Sequence, residues 1–114
     1  MRHIVGDVDM RTIDATIGGR PTICIEGIID LASIGDLYDA LTRTIRNHAG
    51  AVVIVDLDAV AGIDDCALGV LLGAAATARE NEGDIEIVCN SDAIRSRLER
   101  TRLDRAITVR STIS

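Results

Sequence analysis

The chain has 114 residues and a formal net charge of -6, with 47% apolar and 26% charged residues. That length supports one buried core and not two, and the composition excludes disordered and low-complexity classes. A single aromatic residue, Tyr38, and an acidic balance remove base-stacking platforms and wholesale phosphate binding.

Without Phe or Trp, the core must come from Ile, Val, Leu and Ala, the residues of parallel strands covered by helices. All twelve basic residues are Arg. Between Ala93 and Arg110, Arg95, Arg97, Arg100, Arg102, Arg105 and Arg110 face only Glu99 and Asp104, which gives an acidic chain a basic end. Such a run is ordinarily a solvated helix face, and otherwise a docking patch for an acidic or phosphate-bearing partner. No stretch approaches the roughly 20 apolar residues of a membrane span, and Met1 to Asp7 lacks the apolar run of a signal peptide. Three Cys without a CxxC are not a disulfide framework. The expectation is a cytoplasmic protein with free thiols and no membrane insertion.

Thr12 to Ile17 alternates Ile13, Ala15 and Ile17 with Thr12, Asp14 and Thr16, the period of a half-buried strand. Gly18-Gly19-Arg20-Pro21 turns the chain into a second strand, Thr22 to Glu26, and Gly27 breaks that run before Ile28-Ile29-Asp30. Ser33 is a candidate N-cap, with Asp36 in the first turn of a helix that puts Ile34, Leu37, Leu41 and Ile45 on one face. Asn47 to Gly50 stops it. Ala51 to Leu57 is a continuous aliphatic run, as expected of a central strand. A loop from Asp58 to Ile63 leads to a second helix starting near Asp64-Asp65, with Leu68, Leu71, Leu72 and Ala75 at helical spacing and Gly69, Gly73 and Ala76 on a thin side. Gly83 and Asp84 turn into a strand over Ile85 to Cys89. Ser91 caps a third helix with Ile94 and Leu98, and Ile107 to Val109 can add a last strand. The fold class expected is α/β, in the order ββαβαβα, with a mixed four- to five-stranded sheet and helices packed against it.

The densest candidate for function is Gly62-Ile63-Asp64-Asp65-Cys66-Ala67-Leu68-Gly69, at the carboxyl edge of the central strand and the start of a helix. Two adjacent Asp there are first of all a cap and a first-turn acid. His3 and His48 have no spacing that suggests a metal site. No nucleophile–base pair or glycine-rich phosphate loop is present, so neither enzymatic activity nor a cofactor is expected.

Val53 to Leu57 followed by Ile63-Asp64-Asp65-Cys66-Ala67-Leu68-Gly69-Val70-Leu71 resembles the signature of the STAS family (sulphate transporter and anti-sigma factor antagonist): a strand ending in Asp-Leu, then Asp-Ser-Ser-Gly-Leu-Gly opening a helix. Gly27 to Ser33 resembles the family's approach to the first helix, and Leu98 through Leu103-Asp104 its end. The resemblance implies one stand-alone STAS-like domain over 1–114, with a core from about 12 to 109. It also implies a bacterial regulator of transcription that acts by protein–protein binding to an anti-sigma factor, a kinase-like ATPase, and so frees a sigma factor. Direct nucleic-acid binding is not expected, and the oligomeric state, monomer or weak dimer, is left open by the sequence.

In the antagonist branch the first Ser of the signature is phosphorylated by the partner. Asp65 falls on that position, beside Asp64 on the family's Asp, Cys66 on the second Ser and Ala67 on the Gly. Asp65 is therefore either a permanent partial mimic of phosphoserine, with about one charge against one and a half to two, or part of a constitutive binder that never used phosphate control. The second is the expectation. The implied partner surface is Asp64, Asp65, Cys66, Ala67, Leu68 and Gly69 with Asp30 and Ser33; Leu68 and Val70 are its apolar candidates, Leu68 more readily core. Cys66 and Cys89, both placed at the carboxyl edge, are a candidate redox pair. Other implied readings are an accessory subunit of a membrane transport ATPase, or a redox- or nucleotide-responsive STAS module.

Overall fold

Gly18 and Gly19, both at positive φ (60° and 79°), fold strand β1 (Arg11–Ile17) back on β2 (Arg20–Ile29) as an antiparallel hairpin. The computed structural model describes residues 10–111; Met1 to Asp9, with the signal-peptide reading and His3, lie outside the described residues, as do 112–114. Strands β3 (Val52–Ile63), β4 (Asp84–Val88) and β5 (Thr108–Arg110) follow, each parallel to the one before, in a five-stranded sheet of order β1-β2-β3-β4-β5. The crossovers carry α1 (Ile34–Asn47), α2 (Asp65–Glu80), and α3 (Asp92–Arg100) with α4 (Leu103–Ala106).

Each crossover steps the same way across the sheet, so connections of one hand put the helices on one face. There Leu37, Leu41, Leu71, Leu98 and Leu103 join Ile23, Ile25, Val53, Val55, Ile85 and Ile87 in one buried cluster. The thin side of α2, with Gly69, Gly73 and Ala76, faces outward, and so does Leu72, which helical spacing groups with the buried Leu68, Leu71 and Ala75.

The apolar stripe of β1 lies on the other face. Ile13 pairs in register with Cys24, and Cys24 with Asp56, all pointing away from the cluster; Ile13 and Ile17 remain 49% and 37% exposed. Asp14 instead faces the helices and accepts the hydroxyl of buried Thr44. Alternation specified the period of β1 and not which face the helices would cover. On the same outer face the guanidinium groups of Arg110 and Arg20 approach Glu86 at 3.0 and 3.8 Å.

Three expectations are corrected. Gly27 does not end β2: at φ 89° it takes up an irregularity in the pairing, and the strand continues to Ile29. Consequently Asp58 to Ile63 is strand and not loop, because Glu26, Gly27, Ile28 and Ile29 pair with Ala59, Val60, Gly62 and Ile63. Ladder bonds to β2 override the weak strand preference of Asp, Ala and Gly. The chain after Ser91 forms two helices, divided at Arg102 in the left-handed conformation (φ 62°).

Candidate functional site

β2 and β3 end side by side, with Ile29 paired to Ile63, and the Asp64 N–H donates to the Ile29 carbonyl at 2.8 Å. This brings two turns to one edge of the molecule. In the first, Leu31–Ser33 forms a single 3₁₀ turn closed by a reciprocal cap: the Ser33 N–H donates to Asp30 Oδ1 at 3.1 Å, and the Asp30 N–H to Ser33 Oγ at 3.0 Å. The Ser33 hydroxyl is thereby engaged and makes no cap bond to α1, which corrects its expected role.

In the second turn Asp64 is the N-cap of α2, its Oδ1 accepting the Cys66 N–H at 3.0 Å, and Asp65 is the first-turn acid. The Asp65 side chain is 72% exposed and receives an ion pair from Arg97 Nη2 on α3. Cys66 is half-buried, and Gly69 is exposed one turn on. Ala67 and Leu68 are buried in the core cluster and Val70 packs against it, so the fold withdraws Ala67 and Leu68 from the surface expected of them. Their small and branched side chains fall on the face of α2 that meets the sheet.

Hydrogen bonding by the Cys66 N–H, and then by the Cys66 thiol, holds the Asp64 carboxyl below its ordinary range. The same contact works in reverse on Cys66, whose thiol is pushed up by its bond to Asp64, by partial desolvation and by the Asp64 charge. The helix start alone would favour the thiolate, but the carboxylate outweighs it. Cys89 is fully buried, with its thiol 3.8 Å from the Ser91 carbonyl, and burial raises it as well. All three cysteines are free thiols. Among the described residues, no group of three or more His, Cys, Asp or Glu side chains is placed to hold a metal ion, and no helix is long and apolar enough to cross a membrane.

Two residues of this edge escape sequence reasoning. Leu31, 75% exposed on the 3₁₀ turn, is the large apolar side chain that this edge leaves in solvent, whereas Leu68 is buried and Val70 packs against the core. Arg97 reads from sequence only as part of the basic run, although its position between Ile94 and Leu98 already places it beside the buried stripe of α3.

Fold and edge together define a mixed-sheet α/β domain in which a capped helix start stands exposed at the end of a central parallel strand. The chain belongs to the STAS family, whose STAS domain model matches residues 8–114. Among solved structures it is similar to an anti-sigma factor antagonist from Mycobacterium paratuberculosis, at 21% identity and a TM-score of 0.82 over 92% of this chain and 88% of that one. It is also similar to the anti-sigma factor antagonist SpoIIAA in its unphosphorylated form, at 14% identity and a TM-score of 0.70 over 89% of each chain. The phosphorylated form of SpoIIAA, described as a Bacillus cell fate determinant, aligns at 16% identity and a TM-score of 0.62 over 89% of this chain and 92% of that one. These likenesses are of fold. No curated protein matches the sequence at a significant level.

Proposed function

We propose that the chain is a non-enzymatic regulatory module, an anti-sigma factor antagonist that takes a kinase-like ATPase as its partner in the bacterial cytoplasm and is not switched by serine phosphorylation. The observation that carries the reading is the exposed Asp65 carboxylate on the first turn of α2. The family resemblance puts a phosphorylated Ser at that place, and a carboxylate lacks the alcohol oxygen a serine kinase requires. The partner surface comprises Asp64, Asp65, Cys66 and Gly69 with Asp30 and Ser33, and Leu31 supplies its apolar contact. Ala67 and Leu68 support it from within. Both turns are fixed by their own caps, so binding need not order them first.

Recovery of the tagged chain from its source cells, with mass spectrometry of what stays bound, tests the reading. A kinase-like ATPase is expected, retained by Asp65→Ser and lost with Leu31→Asp. Recovery of a transporter nucleotide-binding subunit in its place overturns the proposal.

A further inference from the structure

We propose that Arg97 is the built-in counter-ion of Asp65, so that the carboxylate at the start of α2 meets a partner as half of a neutral pair and not as a fixed imitation of phosphate. The compensation stands on geometry alone; its consequence for binding rests on the function proposed above.

Arg97 Nη2 donates to Asp65 Oδ1, and no other ion pair reaches Asp65 among the described residues. The guanidinium comes from an anchored helix: Ser91 caps α3 through the Ile94 N–H, and Ile94 and Leu98, on either side of Arg97, are buried. Its side chain is 31% exposed against 72% for Asp65, so the cation is the better held of the two. The neighbouring acid has a different partner, since Asp64 is engaged by the Cys66 N–H. The Arg97 charge also helps hold the Asp64 carboxyl low, so the guanidinium acts on both adjacent carboxylates while bonding Asp65.

The charge balance gives this pairing its meaning. A phosphoserine brings about -1.5 to -2 to its site, an unmodified serine brings none, and an aspartate brings -1. Asp65 with Arg97 brings none. The first turn of α2 therefore carries the local charge of the unmodified residue, although its side chain is an acid. An ion pair this exposed adds little to folding. It matters once a partner excludes water, because an unpaired carboxylate carried into an interface is costly and a paired one much less so.

Cys66, one residue from Asp65, reports the local potential without any partner. Its thiolate displaces iodide from either iodoacetate, an anion, or iodoacetamide, its neutral analogue of nearly the same shape. In both reactions an S–C bond forms as the C–I bond breaks and iodide leaves with the electron pair. The ratio of the two rates at Cys66, read by peptide mass spectrometry, cancels access and thiolate fraction and leaves the electrostatics. A unit charge about 7 Å away in water changes that ratio roughly threefold. R97Q is expected to lower the ratio about threefold at low salt, D65N to raise it by a similar factor, and D65N/R97Q to return it to the wild-type value. R97K, which keeps the charge, holds it, and 1 M salt flattens all the differences. R97M gives the same reading should R97Q fold poorly. An unchanged ratio in a folded charge-removing variant overturns the proposal.

With the recovered ATPase as probe, R97Q weakens binding and D65N/R97Q restores it. If the wild-type chain captures no such ATPase, the function proposed above fails, while the alkylation ratio still decides the counter-ion.

Discussion

The Asp64 N–H donates to the carbonyl of Ile29 at 2.8 Å, joining β3 to β2 at the point where each strand gives way to a helical turn. With the pairing of Ile29 to Ile63, that bond is why the Asp30–Ser33 turn and the start of α2 share an edge although 33 residues of chain, including all of α1, lie between Asp30 and Asp64. A binding surface built from both turns inherits the rigidity of the sheet.

The reciprocal cap of the first turn makes a stability prediction. Asp30→Ala removes the acceptor of the Ser33 N–H, and Ser33→Ala that of the Asp30 N–H. Each is expected to cost about 1 kcal/mol. Because either loss loosens the other bond, the double variant should cost less than the two singles together. Urea unfolding of the four proteins measures this, and strict additivity would show the two bonds to be independent.

Much of this fold is legible in sequence because its signals are local. The double glycine marks the hairpin, the aliphatic run the central strand, and Asp64-Asp65 the start of α2. One failure is local, the Ser33 hydroxyl being taken by Asp30 three residues before it and not by α1; the larger ones are non-local. Asp58 to Ile63 looks like a loop because its strand state depends on a ladder with β2, more than 30 residues away. The covered face of β1 depends on where α1 lands, which Ile13 and Ile17 cannot announce. The same holds at the site: the cap at Asp64 follows from its neighbours, but the pairing of Asp65 with Arg97 waits on how α3 docks.

Two glycines give predictions of opposite sign. Gly73 lies inside α2, and a Cβ there meets nothing within 4 Å, so Gly73→Ala should stabilise the protein by up to about 1 kcal/mol. A Cβ on Gly83 would stand 2.3 Å from the Ala51 carbonyl oxygen. That oxygen accepts the Asp84 N–H at 3.2 Å, and Gly50 bonds Asn81 at 3.0 Å across the same two turns. Gly83→Ala must push these backbones apart and should lower Tm, whereas Gly73→Ala raises it. Calorimetry of the two variants decides both signs.

The cap at Asp64 should show in the acid limb of stability. Its carboxyl titrates lower in the folded chain than in the unfolded one, because the Cys66 N–H bonds the charged form. The contribution is therefore complete above the unfolded value of about 4 and is lost as the pH falls through the folded value. Asp64→Asn keeps an oxygen acceptor but does not titrate. Wild type should exceed this variant in Tm at pH 6, and the gap should close toward pH 3. A gap independent of pH would mean that the carboxylate charge plays no part in the cap.

Thiol chemistry follows the same geometry. Cys66 is accessible, but its bond to Asp64 holds its pKa up, so at pH 7 it carries less thiolate than a free cysteine. Its alkylation by iodoacetamide should be slow at neutral pH and rise about tenfold per pH unit through the mildly alkaline range. Asp64→Asn removes the charge and should speed the reaction several-fold at pH 7. Cys89, buried against the Ser91 carbonyl, should stay unlabelled until urea unfolds the chain. Since disulfide exchange requires a thiolate, mild oxidation should leave three alkylatable thiols in the denatured protein. A Cys66–Cys89 disulfide under those conditions would overturn this expectation and restore the redox pair as a switch at the site.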